Sequence, residues 1–381
     1  MSKENNLRNK NILQIAPALD SGGRERGTVD VAKALKERGA NPFIIASGGK
    51  LTTSEQDGIT FIKYNVSTRN PLKVFSNISF IKKIIKDNNI DLVHVRSRSP
   101  AWSAYFAAKH CKIPFVTSFH GIYKMQNLVR KKYNSILTLG DIVIAVSDYV
   151  KNHIIKNYRV PENKIRAIYK GVDLEYFKHE NCDPKQLEKF KEKYRVPDSA
   201  VLITMPARMT NWKGQEFLIK ALTKIKNENF YCVLVGDLSK RPKFVKKIHE
   251  LILKNKLQSK IQIFGPENDM RGLYYKSDII LSTSIEPEAF PKTIIEASAM
   301  QKLVLATKLG GSLEVINDNV SGFFCNSRDE NQLAEKLKHL IKINSTDEGK
   351  QIRKQARLNI EKNFDLKKMQ DLTLQVYSEL I

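Results

Sequence analysis

The chain has 381 residues, 41% of them hydrophobic, 27% charged and 8% aromatic, which excludes a disordered or low-complexity chain and supplies enough apolar material for two ordinary domains. Sixty-four Lys and Arg against forty Asp and Glu leave a net charge of +24, so the surface is expected to attract phosphates, nucleic acid or anionic lipid. Four scattered cysteines (Cys111, Cys182, Cys232, Cys325), with no CxxC pair or Cys/His cluster, argue against a disulfide framework or a structural zinc site and fit a reduced, cytoplasmic compartment.

From the N-terminus, Met1 to Lys10 is polar and reads as no secretory signal, and no stretch reaches the roughly 18 apolar residues a membrane span needs. Short β-branched runs then alternate with amphipathic helical patterns. Strands are expected at Ile12–Ala16, Pro42–Ala46, Leu92–Val95, Phe115–Ser118 and Ile142–Val146, with helices at Arg24–Arg38, Val74–Lys86 and Trp102–Lys109. The second half repeats the rhythm: strands Val201–Met205, Cys232–Val235, Ile261–Phe264, Ile279–Leu281 and Leu303–Ala306, helices Gly214–Lys224, Phe244–Leu253, Lys292–Met300 and Glu330–Ile341. Strands that are apolar throughout and separated by helices predict parallel sheets covered on both faces, hence two doubly wound α/β domains. The expected boundary falls between the Gly171-Val172-Asp173 turn and Val201.

In such sheets ligands bind beyond the carboxyl ends of the strands. After the first strand comes Ser21-Gly22-Gly23-Arg24-Glu25-Arg26-Gly27, opening a helix. Paired glycines let backbone approach a ligand, and a helix N-terminus offers N–H groups to anions, although the same residues also read as a plain turn. After Val201–Met205 come Arg208 and Lys213, a forked and a point cation five residues apart, suited to a diphosphate or, more blandly, two solvated surface charges. After Ile279–Leu281, Glu288 precedes a helix that carries Glu296. Acceptor-only carboxylates bind sugar hydroxyls. Glu286 and Glu288 also suit a helix N-terminus, but Glu296 lies in an apolar run.

Taken together, Ala207-Arg208 with Lys213-Gly214, the Gly236-Asp237 strand end, Glu288 and Glu296 as E-x7-E, and Gly310-Gly311-Ser312-x-Glu314 resemble the retaining glycosyltransferases of family 4, of GT-B architecture. Gly22-Gly23-x-Glu25-Arg26, Phe119-His120-Gly121, Ala145-Val146-Ser147 and Gly171-Val172-Asp173 agree, so the resemblance runs from about Ile12 to Ile381. The stretches Gly23 to Thr28, His94 to Trp102 and Phe119 to Tyr123 look like a bacterial branch that builds lipopolysaccharide core. The resemblance implies two Rossmann-like domains facing across a cleft: an acceptor-side domain over 1–180, a donor domain over 195–360, and a C-terminal helix over 361–381 packing back on the first. It implies that Arg208 and Lys213 neutralise the donor diphosphate, that Glu288 contacts the transferred sugar, and that Glu296 holds the ribose. Gly22 and Gly23 would lie over the phosphates, His120 beside the sugar, Gly236 at the donor strand end, and Glu314 in the loop beyond Gly310 and Gly311. The chain departs from the family pattern at Ala289, Pro291 and Lys170.

The expected function is retaining transfer of a hexose from a nucleotide-sugar onto a lipid-linked glycan of the cell envelope. Cations aimed at the departing diphosphate would stabilise the transition state. No Asp-x-Asp motif is present, so no cofactor and no metal are expected. Rival readings are a nucleotide-sugar epimerase on the same architecture and a non-catalytic GT-B scaffold that only binds glycan. The basic amphipathic stretches Phe80–Lys86 and Tyr123–Tyr133 predict peripheral contact with anionic membrane at the inner face, at about 1 kcal/mol per nearby cation. With no helix-turn-helix, RNP or zinc signature, nucleic acid is not an expected partner.

Overall fold

The computed structural model describes residues 7–381 apart from 21, 53–56, 69, 124, 126, 183–187, 189 and 191. The expectations that touch Met1–Asn6, Ser21, Lys124 and part of the 175–199 connection therefore lie outside the described residues. The chain forms two compact units, one running up to Lys170 and resuming over Lys367–Ile381, the other Gly171–Leu366. These limits differ from 1–180, 195–360 and 361–381: the helix Asp347–Asn363 stays with the second unit, and only the helix Leu366–Ser378 passes to the first.

The first unit holds β1 (Asn11–Ile15), β2 (Asn41–Ala46), β3 (Thr60–Lys63), β4 (Leu92–Val95), β5 (Phe115–Phe119), β6 (Ile142–Ala145) and β7 (Ile165–Ala167) in one sheet, ordered β3-β2-β1-β4-β5-β6-β7. Neighbours run parallel, with Leu13 opposite Phe43 on one side and Val93 on the other. The inner strands are buried along their length, as apolar runs in a sheet covered on both faces should be. The edge strand β3 is half exposed and β7 has three residues, too short for either to stand out as a hydrophobic run. Helices are started by side-chain caps: Asn70 accepts from the Leu72 amide at 3.0 Å and Ser147 from the Val150 amide at 3.1 Å. The helix Leu366–Ser378 joins this unit's core, its Leu374, Val376 and Tyr377 clustering with Ile12, Leu35, Leu92 and Val116.

The second unit holds β8 (Val201–Pro206), β9 (Phe230–Val235), β10 (Ile261–Phe264), β11 (Ile279–Ser282), β12 (Leu303–Thr307) and β13 (Phe323–Cys325), ordered β10-β9-β8-β11-β12-β13 and parallel throughout. The helix Gln215–Lys224 buries Phe217, Leu218, Ala221 and Leu222 against this sheet. Both chain crossings lie side by side here. Val172 donates to Phe364 at 2.9 Å and Leu366 to Val172 at 3.0 Å. A Cβ on Gly171 would fall 2.4 Å from Leu366 Cα, which explains the glycine at this turn.

Each strand order reverses direction once, between β1 and β4 in the first unit and between β8 and β11 in the second. Such switch points open a crevice at the strands' carboxyl ends. One helical expectation is corrected. Among the described residues of Tyr123–Tyr133 only those from Leu128 onward are helical, in Leu128–Asn134, while Tyr123 lies outside it with the Arg98 guanidinium 3.8 Å from its ring centre.

Candidate functional site

At the β8/β11 switch point two loops are stitched together. Gly214 adopts φ +83°, and a Cβ there would meet the Thr283 carbonyl oxygen at 1.9 Å, so only glycine fits. The Ile285 amide donates to the Trp212 carbonyl at 2.8 Å. This seam brings Lys213, from the loop after β8, against Glu288, from the loop after β11: Nζ lies 2.6 Å from Oε2, and both side chains are mostly buried. Ser284 and Ser282 donate to the other oxygen, Ser282 at 3.3 Å. Burial alone would push the Glu288 carboxyl up; Lys213 and the two serines outweigh it and hold it below the usual glutamate range. Glu288 is therefore ionised at neutral pH. The Arg208 guanidinium lies 5.3 Å and the Lys213 ammonium 4.6 Å from the centre of the Trp212 ring, so one indole lies close to both cations.

A third loop locks onto the same place. The Gly311 amide donates to the Glu288 carbonyl at 2.9 Å. A Cβ on Gly310 (φ +58°) would fall 2.4 Å from that carbonyl, and one on Gly311 would fall 2.4 Å from the Ala289 carbonyl. These two glycines are thus needed for packing as well as for any ligand. The same holds for Gly236, where a Cβ would fall 2.1 Å from the Ala207 carbonyl oxygen. Glu314 ends the short 3-10 turn Gly310–Glu314 and is half-buried. Glu296, buried on the helix Lys292–Ala299, is held separately: the Tyr274 hydroxyl donates to one oxygen at 2.9 Å and Lys292 lies 3.3 Å from the other. Its carboxylate is fixed in place and keeps free lone pairs for hydroxyl donors.

In the first unit Gly22 and Gly23 stand where the helix Gly23–Glu37 begins, after β1. The Glu25 carboxylate folds back so closely that a Cβ on Gly22 would fall 2.2 Å from it. His120 follows β5. Burial, then Lys170, Arg96, Arg24 and His94, hold its pKa well below the ordinary imidazole value, so it is neutral at pH 7. Neither ring nitrogen has a hydrogen-bond partner among the described residues. Gly121 beside it is not forced by packing, since a Cβ there meets nothing within 4 Å. One level deeper, His94 is satisfied on both sides, by the Tyr377 hydroxyl at 2.6 Å and Ser118 at 2.7 Å.

The structure therefore brings Lys213, Glu288, Arg208, Gly310 and Gly311 together, and holds Glu296 on the helix that follows Glu288. It keeps His120, Gly22 and Gly23 in the other unit. Trp212, Ser282, Ser284 and Tyr274 are the participants that the sequence reading left without a role. Trp212 directly precedes Lys213 and carried a visible aromatic signal; nothing in the sequence ties Tyr274 to Glu296. Among the described residues no three His, Cys, Asp or Glu side chains gather as metal ligands.

Two family models cover most of the chain. Glycosyltransferase Family 4 matches residues 21–176, and Glycosyl transferases group 1 matches residues 186–359. A solved glycosyltransferase from Rickettsia africae is 47% identical, covers 98% of both chains and superposes with a TM-score of 0.91. The N,N'-diacetylbacillosaminyl-diphospho-undecaprenol alpha-1,3-N-acetylgalactosaminyltransferase of Campylobacter jejuni is 27% identical over 349 residues, 87% of this chain and 88% of that protein. HepE of Anabaena, solved with UDP-glucose, shares the fold with a TM-score of 0.82 at 23% identity, over 97% of this chain and all of that one.

Proposed function

This chain belongs to the family 4 glycosyltransferases of GT-B fold, and we propose that it moves a hexose, with retention of anomeric configuration, from a nucleotide-sugar to a lipid-linked glycan of the cell envelope. The observation that carries the reading is the Lys213–Glu288 pair at the second sheet's switch point, with Arg208 and Lys213 both close to the Trp212 ring. Arg208 and Lys213 meet the donor's diphosphate, whose negative charge grows as the anomeric C–O bond breaks. Glu288, ionised and fixed by Lys213 and the two serines, accepts hydrogen bonds from hydroxyls of the transferred sugar. Glu296 takes the ribose hydroxyls. The acceptor oxygen attacks the face that the diphosphate leaves, and its proton passes to a departing phosphate oxygen, so charge and atoms balance without a resident cofactor or metal. UDP-glucose, held by HepE, and the diphospho-undecaprenol acceptor of the Campylobacter enzyme make a UDP-sugar and a polyprenyl-linked glycan the first substrates to try; an acceptor in lipopolysaccharide core is the next.

We further propose peripheral attachment to anionic membrane through the first unit. Leu128 and Val129 are 83% and 77% exposed and adjoin exposed Arg130, Lys131 and Lys132; Leu72 and Phe75 project from the helix Pro71–Asp87 beside Lys73. The Phe80–Lys86 stretch supports this less, since Phe80 stacks on Tyr64 at 3.8 Å and Ile81 and Ile85 are buried. No helix among the described residues is long and apolar enough to cross a membrane.

The test is to incubate the protein with UDP-sugars and a bacterial lipid-glycan extract, following UDP release, product mass and the anomeric proton by NMR, with and without EDTA. An α-linked product from an α-donor, made equally well in EDTA, is expected. Isomerised sugar without acceptor, or donor binding with no turnover on any acceptor, overturns the reading.

A further inference from the structure

Two cations after β8 are held in place by different means. Lys213 is gripped at its charged end by Glu288. Arg208 is exposed; its guanidinium lies by the Trp212 ring and has no ion pair or hydrogen bond among the described residues. The direction of its side chain is therefore set from the main chain. Before it, the Ala207 amide donates to the Val235 carbonyl at 2.9 Å; after it, Met209 is buried in the second unit's core. Between these anchors the Arg208 carbonyl accepts from Gln215 Nε2 at 2.9 Å, and no other donor reaches that carbonyl among the described residues.

Gln215 is an unusual residue for its position. It opens the helix Gln215–Lys224 and is 1% exposed, beside the buried Phe217 and Leu218, whereas glutamine is mostly a surface residue. Its Nε2 also lies 3.8 Å from the Met209 sulfur, but its Oε1 is buried with no partner at all. A buried acceptor left unpaired costs its desolvation, so packing alone would favour an apolar side chain of similar volume. What the amide adds is a fixed orientation for the peptide that follows Arg208. Gly214, locked against Thr283, fixes where this helix begins. The seam that carries Lys213 to Glu288 thus also anchors the side chain that reaches back to Arg208.

We propose that Gln215 is a positioning residue of the transfer reaction. Buried, it meets no substrate itself; through the Arg208 carbonyl it aims the Arg208 guanidinium at the donor diphosphate beside Lys213. This rests on the transfer reading, in which Arg208 meets that diphosphate.

The experiment measures UDP binding to the whole chain by calorimetry. Gln215→Met keeps the volume and removes both the donor and the orphaned acceptor. One unpaired buried group, the Arg208 carbonyl, then stands in place of another, so the urea midpoint should stay near the parent's. The UDP dissociation constant should rise about tenfold. Arg208→Ala should weaken UDP at least as much, and Gln215→Met added to it should change the constant by less than about twofold, because the residue acts through Arg208. Added to Lys213→Ala, it should weaken UDP further. In a Trp102→Phe background, where Trp212 is the remaining tryptophan, Arg208→Ala should shift the emission and Gln215→Met should shift it in the same sense. Gln215→Leu carries the same cycle should methionine not be accommodated. Parental UDP affinity in both Gln215 variants overturns the proposal, and so does a full tenfold loss on top of Arg208→Ala, which marks a merely structural role. Failure of the transfer reading looks different: Arg208→Ala itself binds UDP as the parent does, and the positioning role falls with it.

Discussion

The two switch points are built alike and finished differently. At β8/β11 the cation and the carboxylate already meet: Lys213 holds Glu288, serines complete the carboxylate, and the loops are sealed by glycines against backbone. At β1/β4 the deep layer is satisfied, His94 lying between Tyr377, which also faces Arg96, and Ser118, but Arg24 Nε and both His120 nitrogens have no hydrogen-bond partner among the described residues. A site that carries its own counter-charge keeps its shape before a ligand arrives, whereas buried nitrogens without acceptors carry the cost of their desolvation. The difference is one of electrostatic preorganisation, since both sit on equally buried parallel strands.

The sharpest way to break this comparison is to remove the pre-formed pair. Lys213→Ala leaves Glu288 buried without its cation. UDP release should fall about 10²–10³-fold, and urea unfolding should show a loss of roughly 1–3 kcal/mol. Adding Glu288→Gln should restore stability but not rate; a double variant as unstable as the single one denies the pairing. The pH dependence has a definite sign. Glu288 is depressed below 4.5 in the folded chain, so the pair's stabilisation is complete above that pH and is lost as pH falls through the folded value. The stability gap between the parent and Lys213→Ala should therefore narrow below pH 4.5.

Next in size is Gly214→Ala. It forces a side chain into φ +83° and against the Thr283 carbonyl. A loss of about 1–3 kcal/mol is expected, with a reduced rate because the loops bearing Lys213 and Glu288 part. Tyr377→Phe sharpens the other side. It leaves His94 Nδ1 unsatisfied and removes a hydroxyl that also faces Arg96, at a cost of roughly 1–3 kcal/mol by urea unfolding. Parental stability would show that this hydroxyl does not hold the deep layer. The smallest effect on the fold is expected from Leu128→Ser with Val129→Ser, within about 0.5 kcal/mol. The same pair should lower co-sedimentation with anionic vesicles by about tenfold at low salt, and unchanged binding removes this surface from the attachment.

What could be read in advance follows the same physics. Inner strands such as Leu92–Val95 announced themselves because burial on both faces demands unbroken apolar runs. The edge strands Thr60–Lys63 and Phe323–Cys325 did not, being short or half exposed. Lys213 and Glu288 were legible as strand-end residues, since the switch-point rule ties position to function. Their direct contact was not, because it depends on the seam at Gly214 and Thr283, far apart in sequence. Arg96 lay in plain view inside a recognisable phrase, yet arginine is so commonly a surface residue that nothing marked it as buried. Tyr377 gave no sign that it would satisfy a histidine nearly three hundred positions earlier.

That last link bears on how the polypeptide matures. Residues 367–381 complete the first unit, whereas the second is one uninterrupted stretch. During synthesis the second unit is whole while the first still lacks the hydroxyl that pairs with His94 and the leucine and valine that close its core. The half made first is finished last, so a released chain that ended near residue 366 would hold every residue of the second unit while the first unit's core stayed incomplete.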